Sequence, residues 1–340
     1  MATIIDVAKK AGVSKSTVSL VLNNNKRIPE KTSTLVRKAM KELGYSPNTN
    51  ARGLINSHFY NFGVIECVEN EYYGAYDISH ETGTYAANVT YGILSGLEES
   101  PYGLITERWK NEKVNLPRLV QTKCVDGLFV IGTYNDDFLF EQIKKTHIPL
   151  VVIGRNVKDT NCIYSDPGEG SRMGVEYLLK RGHSRICFIN APSFFLSSKV
   201  RLQAIEEMLR EKNIPEGTVV VETSMHNNGE GGRMAIDCAW KKSGPFDGVV
   251  AANDMMALGV LRFCYQNDIR VPQDLSIAAY EDSVLCGYSS PSLTSVNINK
   301  EMSGRCAAEM MIRLINEKNM STEHICVPLS LVERESVKDR

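Results

Sequence analysis

The sequence predicts a small helix-turn-helix domain followed by a larger α/β body with parallel sheets. Two helical apolar patterns separated by Gly12 open the chain. The first 60 residues hold ten Lys and Arg against three Asp and Glu, whereas the whole chain has a net charge of −1. Further along, short apolar runs alternate with helical stretches, which is typical of parallel α/β sheets.

The amino-terminal domain is predicted to contain three helices. The first follows from the helical spacing of Ile4, Ile5, Val7, Ala8 and Ala11. Ser14 is a good N-cap for the second helix, because its hydroxyl can accept a hydrogen bond from the amide of Thr17. A third amphipathic helix is expected over residues 30–43, with Gly44 as its left-handed cap.

The charge distribution indicates contact with nucleic acid. In a helix-turn-helix, side chains at the start of the second helix meet the base edges. The surplus of +7 at the amino terminus supplies salt-sensitive affinity for phosphates, and the remaining −8 keeps the body away from the duplex. The competing interpretation is a basic three-helix domain that only increases solubility.

Composition excludes several classes of protein. With 340 residues and 43% hydrophobic content, the chain can form one small and two mid-sized domains. No apolar run is long enough to span a bilayer, and Asp6 and Lys9 interrupt the stretch where a secretory signal would lie, so a cytoplasmic location without membrane contact is expected. Nine scattered cysteines and six histidines lack metal-ligand spacing, so we expect neither metal nor cofactor.

Polar residues directly follow two of the eight predicted strands of the body. Asn253 and Asp254 follow the run 248–252, and Glu281 and Asp282 follow the run 275–280. Because open parallel sheets bind ligands at the carboxyl ends of their strands, these are candidate ligand residues. Asn253 and Asp254 have the alternative role of capping the next helix. Periodicity alone leaves a closed barrel and two open sheets equally possible.

Several ordered motifs resemble the lactose and galactose repressor family. Residues 3–14 read TIIDVAKKAGVS, residues 45–48 read YSPN and residues 51–54 read ARGL. Looser matches continue through the body, including AND at 252–254, PSLT at 291–294 and RES at 334–336. The resemblance covers essentially the whole chain and is loosest over residues 69–124.

The resemblance implies a domain plan. A headpiece over residues 1–46 is followed by a hinge helix and linker over 47–60 and by a two-lobed, periplasmic-binding-protein-like effector and dimerisation domain over 61–340. The amino-terminal lobe is expected to comprise about 61–164 and 293–323, and the carboxyl-terminal lobe about 165–292 and 324–340. The chain is then expected to cross between lobes near residues 164–167, near 288–293, and after a helix over 300–316.

The resemblance also implies DNA contacts. Lys15, Ser16 and Leu20 hold the positions that read bases, and leucine suits a thymine methyl because it cannot donate to guanine. Leu54 matches the hinge leucine that enters the minor groove as an apolar wedge. The other expected contacts are to phosphate, sugar or the hinge groove: Thr3, Ser14, Thr17, Ser19, Asn23, Tyr45, Ala51 and Arg52.

The resemblance also implies contacts with a ligand in the cleft between the two lobes. Arg201 matches the family arginine that reaches a ligand hydroxyl or carboxylate. Glu281 departs from the usual aspartate, and its extra methylene moves the carboxylate deeper into the cleft. Phe195 offers an aromatic face to a sugar ring or base, Asn253 follows a strand, and Tyr73 and Tyr85 are placed at the cleft mouth.

We therefore expect a sequence-specific DNA-binding transcriptional regulator, in the role of a repressor, that responds to a small molecule, a sugar or sugar derivative. A homodimer is expected, because two headpieces related by a twofold axis read both halves of a near-palindromic operator in double-stranded DNA. Alternatives of the same fold respond to a protein co-effector or to a nucleoside or purine-type ligand. An enzyme and an exported sugar carrier are disfavoured: Gly168, Gly170 and Gly174 miss the dinucleotide fingerprint by one residue, and no signal sequence is present.

Overall fold

A computed structural model describes residues 2–22, 27–45, 58–68, 83–110, 115–132, 137–317 and 321–340. The chain divides into two compact units, Met1–Tyr60 and Asn61–Arg340, and each is considered by itself. None of the helices in these described ranges combines the length and the apolar character that crossing a bilayer requires.

The amino-terminal unit contains the three predicted helices: α1 (Ile4–Ala11), α2 (Lys15–Leu22) and α3 (Glu30–Leu43). Val7, Val18 and Val36, one from each helix, are fully buried against one another in a small core. The apolar spacing that predicted the helices therefore also decides which face of each helix is buried.

The ends of these helices are fixed by local chemistry. Thr3 and Asp6 form a capping box at α1, and the hydroxyl of Ser14 accepts a 3.1 Å hydrogen bond from the amide of Thr17 at α2. Gly12 and Gly44 close α1 and α3 with φ angles of 66° and 57°, in the left-handed region that glycine enters at little cost. The predicted cap at Ser14 and the predicted end at Gly44 are confirmed.

The body contains two six-stranded sheets. In spatial order, the amino-terminal sheet consists of β11 (His324–Cys326), β5 (Asn161–Tyr164), β4 (Leu150–Ile153), β3 (Gly127–Ile131), β1 (Asn61–Val68) and β2 (Gly103–Lys110). The carboxyl-terminal sheet consists of β12 (Ser330–Val332), β10 (Thr294–Asn297), β9 (Ser276–Glu281), β8 (Gly248–Ala251), β6 (Ile186–Asn190) and β7 (Val219–Thr223). All pairs are parallel except β10 with β12.

Helices connect the strands of each sheet. They are α4 (Gly83–Gly96), α5 (Arg118–Thr122), α6 (Phe138–Lys144), α7 (Pro167–Lys180), α8 (Leu196–Glu211), α9 (Gly229–Ser243), α10 (Asp254–Gln266), α11 (Val284–Tyr288) and α12 (Lys300–Asn316). Fully buried aliphatic and aromatic side chains lie on both faces of β3 and β6, as expected for sheets covered on both sides by helices.

The chain crosses between the two sheets three times. The first crossing, over residues 165–166, lies within the predicted range. The second lies at residues 298–299, between β10 of the carboxyl-terminal sheet and α12, which packs on β4 and β5 of the other sheet. The third lies at residues 327–329, between β11 and β12.

Two predicted lobe boundaries are therefore wrong. The expected switch at residue 293 is too early, because β10 (Thr294–Asn297) pairs with β9. The expected switch at residue 324 is also too early, because β11 (His324–Cys326) pairs with β5. Both strands have only three or four residues, too few to show a sequence period, and the partner of β11 is distant along the chain.

The amino-terminal lobe depends on a close approach of α4 and α12. A Cβ atom on Gly304 of α12 would collide with the carbonyl oxygen of Val89, and one on Gly92 of α4 would collide with the carbonyl oxygen of Glu301. Because these opposing atoms belong to the backbone, they cannot rotate away. Glycine at both positions lets the two helices pack backbone against backbone.

We expect Gly304→Ala to lower the free energy of unfolding of the body by about 2 kcal/mol or more, since the added methyl group forces the two helices apart. Denaturant unfolding of the full chain measures the change. Gly287→Ala in α11 is the matched control, because a Cβ there has no atom within 4 Å. Equal stability of the two variants would contradict the close approach.

Candidate functional site

The second helix of the amino-terminal unit presents one exposed face. Lys15 and Ser16 are exposed at its start, and Leu20 keeps 39% of its surface although it is apolar. Val18 and Val21 occupy the opposite face and are buried. Ser16 and Leu20 are four residues apart and so lie one above the other on the helix, in the arrangement expected of a recognition helix.

Hydroxyl groups cluster at the start of the same helix. The Ser14 hydroxyl lies 2.7 Å from that of Ser16 and 2.8 Å from that of Thr17. Thr3 is exposed at the start of α1, while Ser19 and Tyr45 are half-buried. Helix amino termini attract anions such as phosphate. Four predicted DNA contacts lie outside the described residues: Asn23, Ala51, Arg52 and Leu54.

The body contains a cavity of about 190 Å³ between its two sheets. It is lined at the carboxyl ends of strands from both sheets, including Cys67, Ile131 and Gly154 on one side and Ala191, Ala252 and Glu281 on the other. This is the position at which open parallel sheets bind ligands. Ser165 and Ile298, from two crossings of the chain, complete part of the wall.

Arg201 places a buried cation in the cavity wall. It lies on the second turn of α8 and keeps only 7% of its surface. Its guanidinium carbon lies 5.1 Å from the ring centre of Tyr280, and one terminal nitrogen donates a long hydrogen bond, 3.4 Å, to Ser197. Within the described part of the chain, Nε finds no hydrogen-bond acceptor. Burial lowers the pKa of Arg201, which reflects the cost of holding this charge away from water.

Glu281 faces the same cavity from the end of β9. Its backbone has a φ of 108°, a region that residues with a Cβ rarely adopt. Burial and, to a smaller extent, Asp254 raise the pKa of its carboxyl group, Lys300 and Arg201 oppose the shift, and the resulting pKa is about 7. The Lys300 ammonium donates a short hydrogen bond to the Glu281 carbonyl oxygen. The carboxyl group is therefore partly protonated near neutral pH.

Asn253 lines the cavity and also caps a helix. Its side-chain oxygen accepts a 2.7 Å hydrogen bond from the amide of Met256, and its Nδ2 donates a 2.7 Å bond to Asn227, another lining residue. The neighbouring Asp254 is buried and accepts bonds from the Ser283 amide and the Ser295 hydroxyl. The capping role weighed from the sequence is thus present for Asn253, together with a place in the cavity wall.

Aromatic side chains contribute much of the remaining wall. Phe195 lines the cavity and contacts Phe194 at 4.5 Å between ring centres. The hydroxyl of Tyr85 lies over Gly154, where a Cβ would approach it to 2.8 Å. Burial raises the pKa of Tyr85, so its hydroxyl stays protonated. Tyr73, the other predicted tyrosine, lies outside the described residues.

Sequence reasoning missed several lining residues, namely Glu66, Ser165, Ser197, Asn227 and Tyr280. Tyr280 stacks on Arg201 and is hydrogen-bonded to Ser165, and its ring fits only because residue 170 is a glycine. Its place inside an apolar strand run concealed it. For Glu66 the sequence did contain a signal, because it is a charged residue near the end of a predicted buried strand.

This arrangement suits the binding of a polar ligand. A buried guanidinium and a carboxyl group that can donate or accept supply hydrogen bonds in both directions, and apolar and aromatic side chains enclose them. Glu66 is held by a 3.2 Å ion pair with Arg108. Across the described ranges, no cluster of His, Cys, Asp and Glu is arranged to hold a metal ion.

Comparison with known proteins assigns two family models to the chain. Residues 3–48 match the model described as bacterial regulatory proteins, lacI family. Residues 175–337 match a periplasmic binding protein-like domain. The first match covers the amino-terminal helices, and the second covers most of the carboxyl-terminal sheet.

Relatives similar over their full length include two named repressors. The HTH-type transcriptional repressor PurR of Edwardsiella ictaluri is 32% identical over 348 residues, which span 100% of this chain and 98% of the relative. The ribose operon repressor of Escherichia coli K12 is 28% identical over 345 residues, 99% of this chain and 100% of the relative.

Solved structures share the fold. The Lac repressor dimer bound to operator and the anti-inducer ONPF matches with a TM-score of 0.82 at 22% identity, covering 99% of both chains. The complex of the transcriptional regulator CelR with cellobiose matches with a TM-score of 0.71 at 25% identity, covering 99% of this chain and 100% of that one. This chain therefore shares the fold of these proteins.

The raised pKa of Glu281 predicts a pH dependence of stability. A folded-state pKa of about 7, against 4.5 for an ordinary glutamate, means that the folded chain holds this proton more tightly than the unfolded chain. The free energy of unfolding should then fall as pH rises from about 4.5 to 7, by about 3 kcal/mol at most, and stay level above that range.

The substitution Glu281→Gln removes the titrating carboxyl group and so its pH-dependent contribution to the free energy of unfolding. The difference in thermal unfolding midpoint between the original chain and the variant, measured from pH 4.5 to 9, isolates it from every other titrating group. A difference that does not change with pH would show that the carboxyl group titrates as it does in water.

Proposed function

This chain belongs to the lacI family of bacterial regulatory proteins, and we propose that it is a repressor whose affinity for operator DNA is set by a small sugar bound in the cavity of its body. The observation that carries the effector proposal is the buried Arg201 guanidinium, whose Nε has no acceptor among the described residues. A buried cation with unsatisfied donors is costly, and a ligand oxygen relieves that cost. The family membership supports a cytoplasmic location, where the DNA is.

The size of the cavity favours a single sugar unit. A volume of about 190 Å³ equals that of roughly six water molecules at about 30 Å³ each. A ligand of that size is a small molecule such as a monosaccharide. Several structures of the same fold contain sugars, including a regulator from Enterococcus faecium with bound ribose at 21% identity and the CelR complex with cellobiose.

The chemistry of the wall suits sugar hydroxyls. Arg201 donates, the Glu281 carboxyl group donates or accepts according to its protonation, and Asn253 lies beside them. Phe195 and Tyr85 offer apolar ring surface to the carbon face of a sugar. A ring with hydroxyls at its edge and carbon on its faces needs both kinds of contact.

DNA recognition is assigned to the exposed face of α2. We assign Lys15 and Ser16, which are exposed at the helix start, to base edges, and Leu20 to a thymine methyl group. We assign the Ser14 and Thr17 hydroxyls, with Thr3 at the start of α1, to phosphates. We assign the minor-groove wedge to Leu54, next to Arg52, by the family pattern.

We propose a homodimer that binds a near-palindromic operator. One recognition helix of eight residues contacts few base pairs, so two copies are needed for tight and specific binding. The solved Lac repressor is a dimer on its operator, which supports this assembly. Effector binding then shifts the population between arrangements of the two lobes, and DNA affinity follows the favoured arrangement.

The function is tested by selecting genomic fragments on the purified full chain and sequencing the retained DNA. Retention of a shared near-palindrome supports the repressor assignment, and the genes beside it nominate sugars to test. Retention without any common sequence, at several salt concentrations, would contradict sequence-specific binding.

Leu20→Ala should weaken binding to the selected operator about tenfold and leave nonspecific binding unchanged, because an apolar base contact is lost while phosphate contacts remain. Titration of labelled operator and of scrambled duplex measures both affinities. Leu35→Ala is the matched control, since Leu35 is 49% exposed but lies on α3. An equal loss in both variants would remove Leu20 from the interface.

Arg201→Met should reduce affinity for the effector by at least about tenfold while operator binding without effector stays intact, since a charged hydrogen-bond donor is lost from the cavity alone. Monosaccharides that raise the unfolding temperature of the original chain provide the ligand, and calorimetry gives the affinities. Arg210→Met is the control, because Arg210 lies on the same helix but is exposed. Unaltered affinity in Arg201→Met would exclude Arg201 from the site.

A further inference from the structure

Lys300 occupies an unusual place in the body. It is the first residue of α12, directly after the second crossing of the chain, and only 7% of its surface is exposed. Its helix packs on α4 and on β4 and β5 in the amino-terminal lobe. Its ammonium group nevertheless donates a hydrogen bond to the carbonyl oxygen of Glu281, at the end of a strand in the carboxyl-terminal lobe.

That carbonyl belongs to a strained stretch of backbone. Glu281 has a φ of 108° and Asp282 a φ of 50°, so two consecutive residues with side chains adopt positive φ values. Such conformations are costly for residues with side chains and persist only where neighbouring groups hold them. Asp282 is held by an ion pair of 2.7 Å with Arg334 and by the Ser295 hydroxyl, which accepts a hydrogen bond from its amide. Lys300 holds Glu281.

We propose that Lys300 is a positioning residue of the effector site, which fixes the Glu281 carboxyl group in the cavity and ties it to the amino-terminal lobe through α12. The hydrogen bond sets the backbone conformation from which the Glu281 side chain enters the cavity. The positive charge of Lys300 also favours the ionised carboxylate, and so adjusts whether Glu281 offers a ligand an acceptor or a donor. The role in effector binding rests on the proposed function; the effect on Glu281 does not.

Lys300 differs from the other charged groups around Glu281 in the lobe to which it belongs. Arg201 on α8 also favours the carboxylate, Asp254 on α10 opposes it, and the hydroxyls of Tyr85 and Tyr280 interact with it as well. Arg201, Asp254 and Tyr280 belong to the carboxyl-terminal lobe, and Tyr85 has no charge while its hydroxyl is protonated. Among the described residues that influence Glu281, Lys300 is thus the cation supplied by the opposite lobe. Its contact with Glu281 therefore joins the two lobes of the body.

The test uses the full chain without any effector, so that its failure is distinct from failure of the proposed function. Lys300→Met removes the charge and the donor but keeps the length of the side chain. The unfolding midpoint is measured against pH for the original chain and for Lys300→Met, and again for each of them with Glu281→Gln added. The difference in midpoint between each protein and its Glu281→Gln counterpart reports the titration of Glu281. With Lys300 in place, this difference changes up to a pH of about 7.

In Lys300→Met, the difference in midpoint should go on changing to a higher pH. Its upper limit should rise by about one pH unit, because the carboxylate has lost a nearby positive charge. Lys300→Arg should restore the original limit. A purely structural lysine would lower the unfolding midpoint equally at every pH and leave the limit unmoved, and that result would overturn the proposal. If Lys300→Met gives no cooperative unfolding, Lys300→Gln, which keeps a donor without the charge, carries the same test and the same two outcomes.

Discussion

The three crossings of the chain between its two sheets are the constraint on which the rest of the body depends. Because of them, the carboxyl ends of the strands in both sheets face one cavity. A parallel sheet collects polar residues at one edge, where strands end and helices begin. Each crossing brings the edge of one sheet to the edge of the other. Ser165 and Ile298, from two of these crossings, are themselves part of the cavity wall.

The same crossings account for the chemistry of the cavity. Glu281 ends an apolar strand and Arg201 lies on the second turn of a helix that follows another one, and water solvates both side chains poorly. Burial pushes both groups toward their neutral forms, since the charged forms lose hydration that the protein only partly replaces. Tyr280 at Arg201, and Lys300 and Arg201 at Glu281, provide the partial replacement. On the function proposed above, the hydroxyl groups of a sugar would complete it.

The amino-terminal unit solves a different physical problem. Its helices are short, so most of their backbone hydrogen-bonding groups lie near an end and need caps. Side chains of Thr3 and Ser14 supply caps at the helix starts, and Gly12 and Gly44 close the ends. The same helix starts carry the hydroxyl and amide groups that suit phosphate. Stability and the proposed DNA contact thus draw on the same positions, and the opposite face of α2 from its buried valines stays exposed within this unit.

Sequence by itself determined the features that depend on neighbours along the chain. The three helices, the caps at Ser14 and Gly44 and the long apolar strands follow from spacing and from the conformational limits of single residues. It also brought Arg201, Asn253 and Glu281 forward as ligand residues, because strand ends and family motifs are visible in one dimension. Tertiary structure alone decided which sheet receives β10 and β11, that Tyr280 and Lys300 meet Arg201 and Glu281, and that Glu281 holds its proton near neutral pH. These features arise from strand pairing, burial and charge interactions between residues that are far apart in the sequence, so no local sequence pattern predicts them.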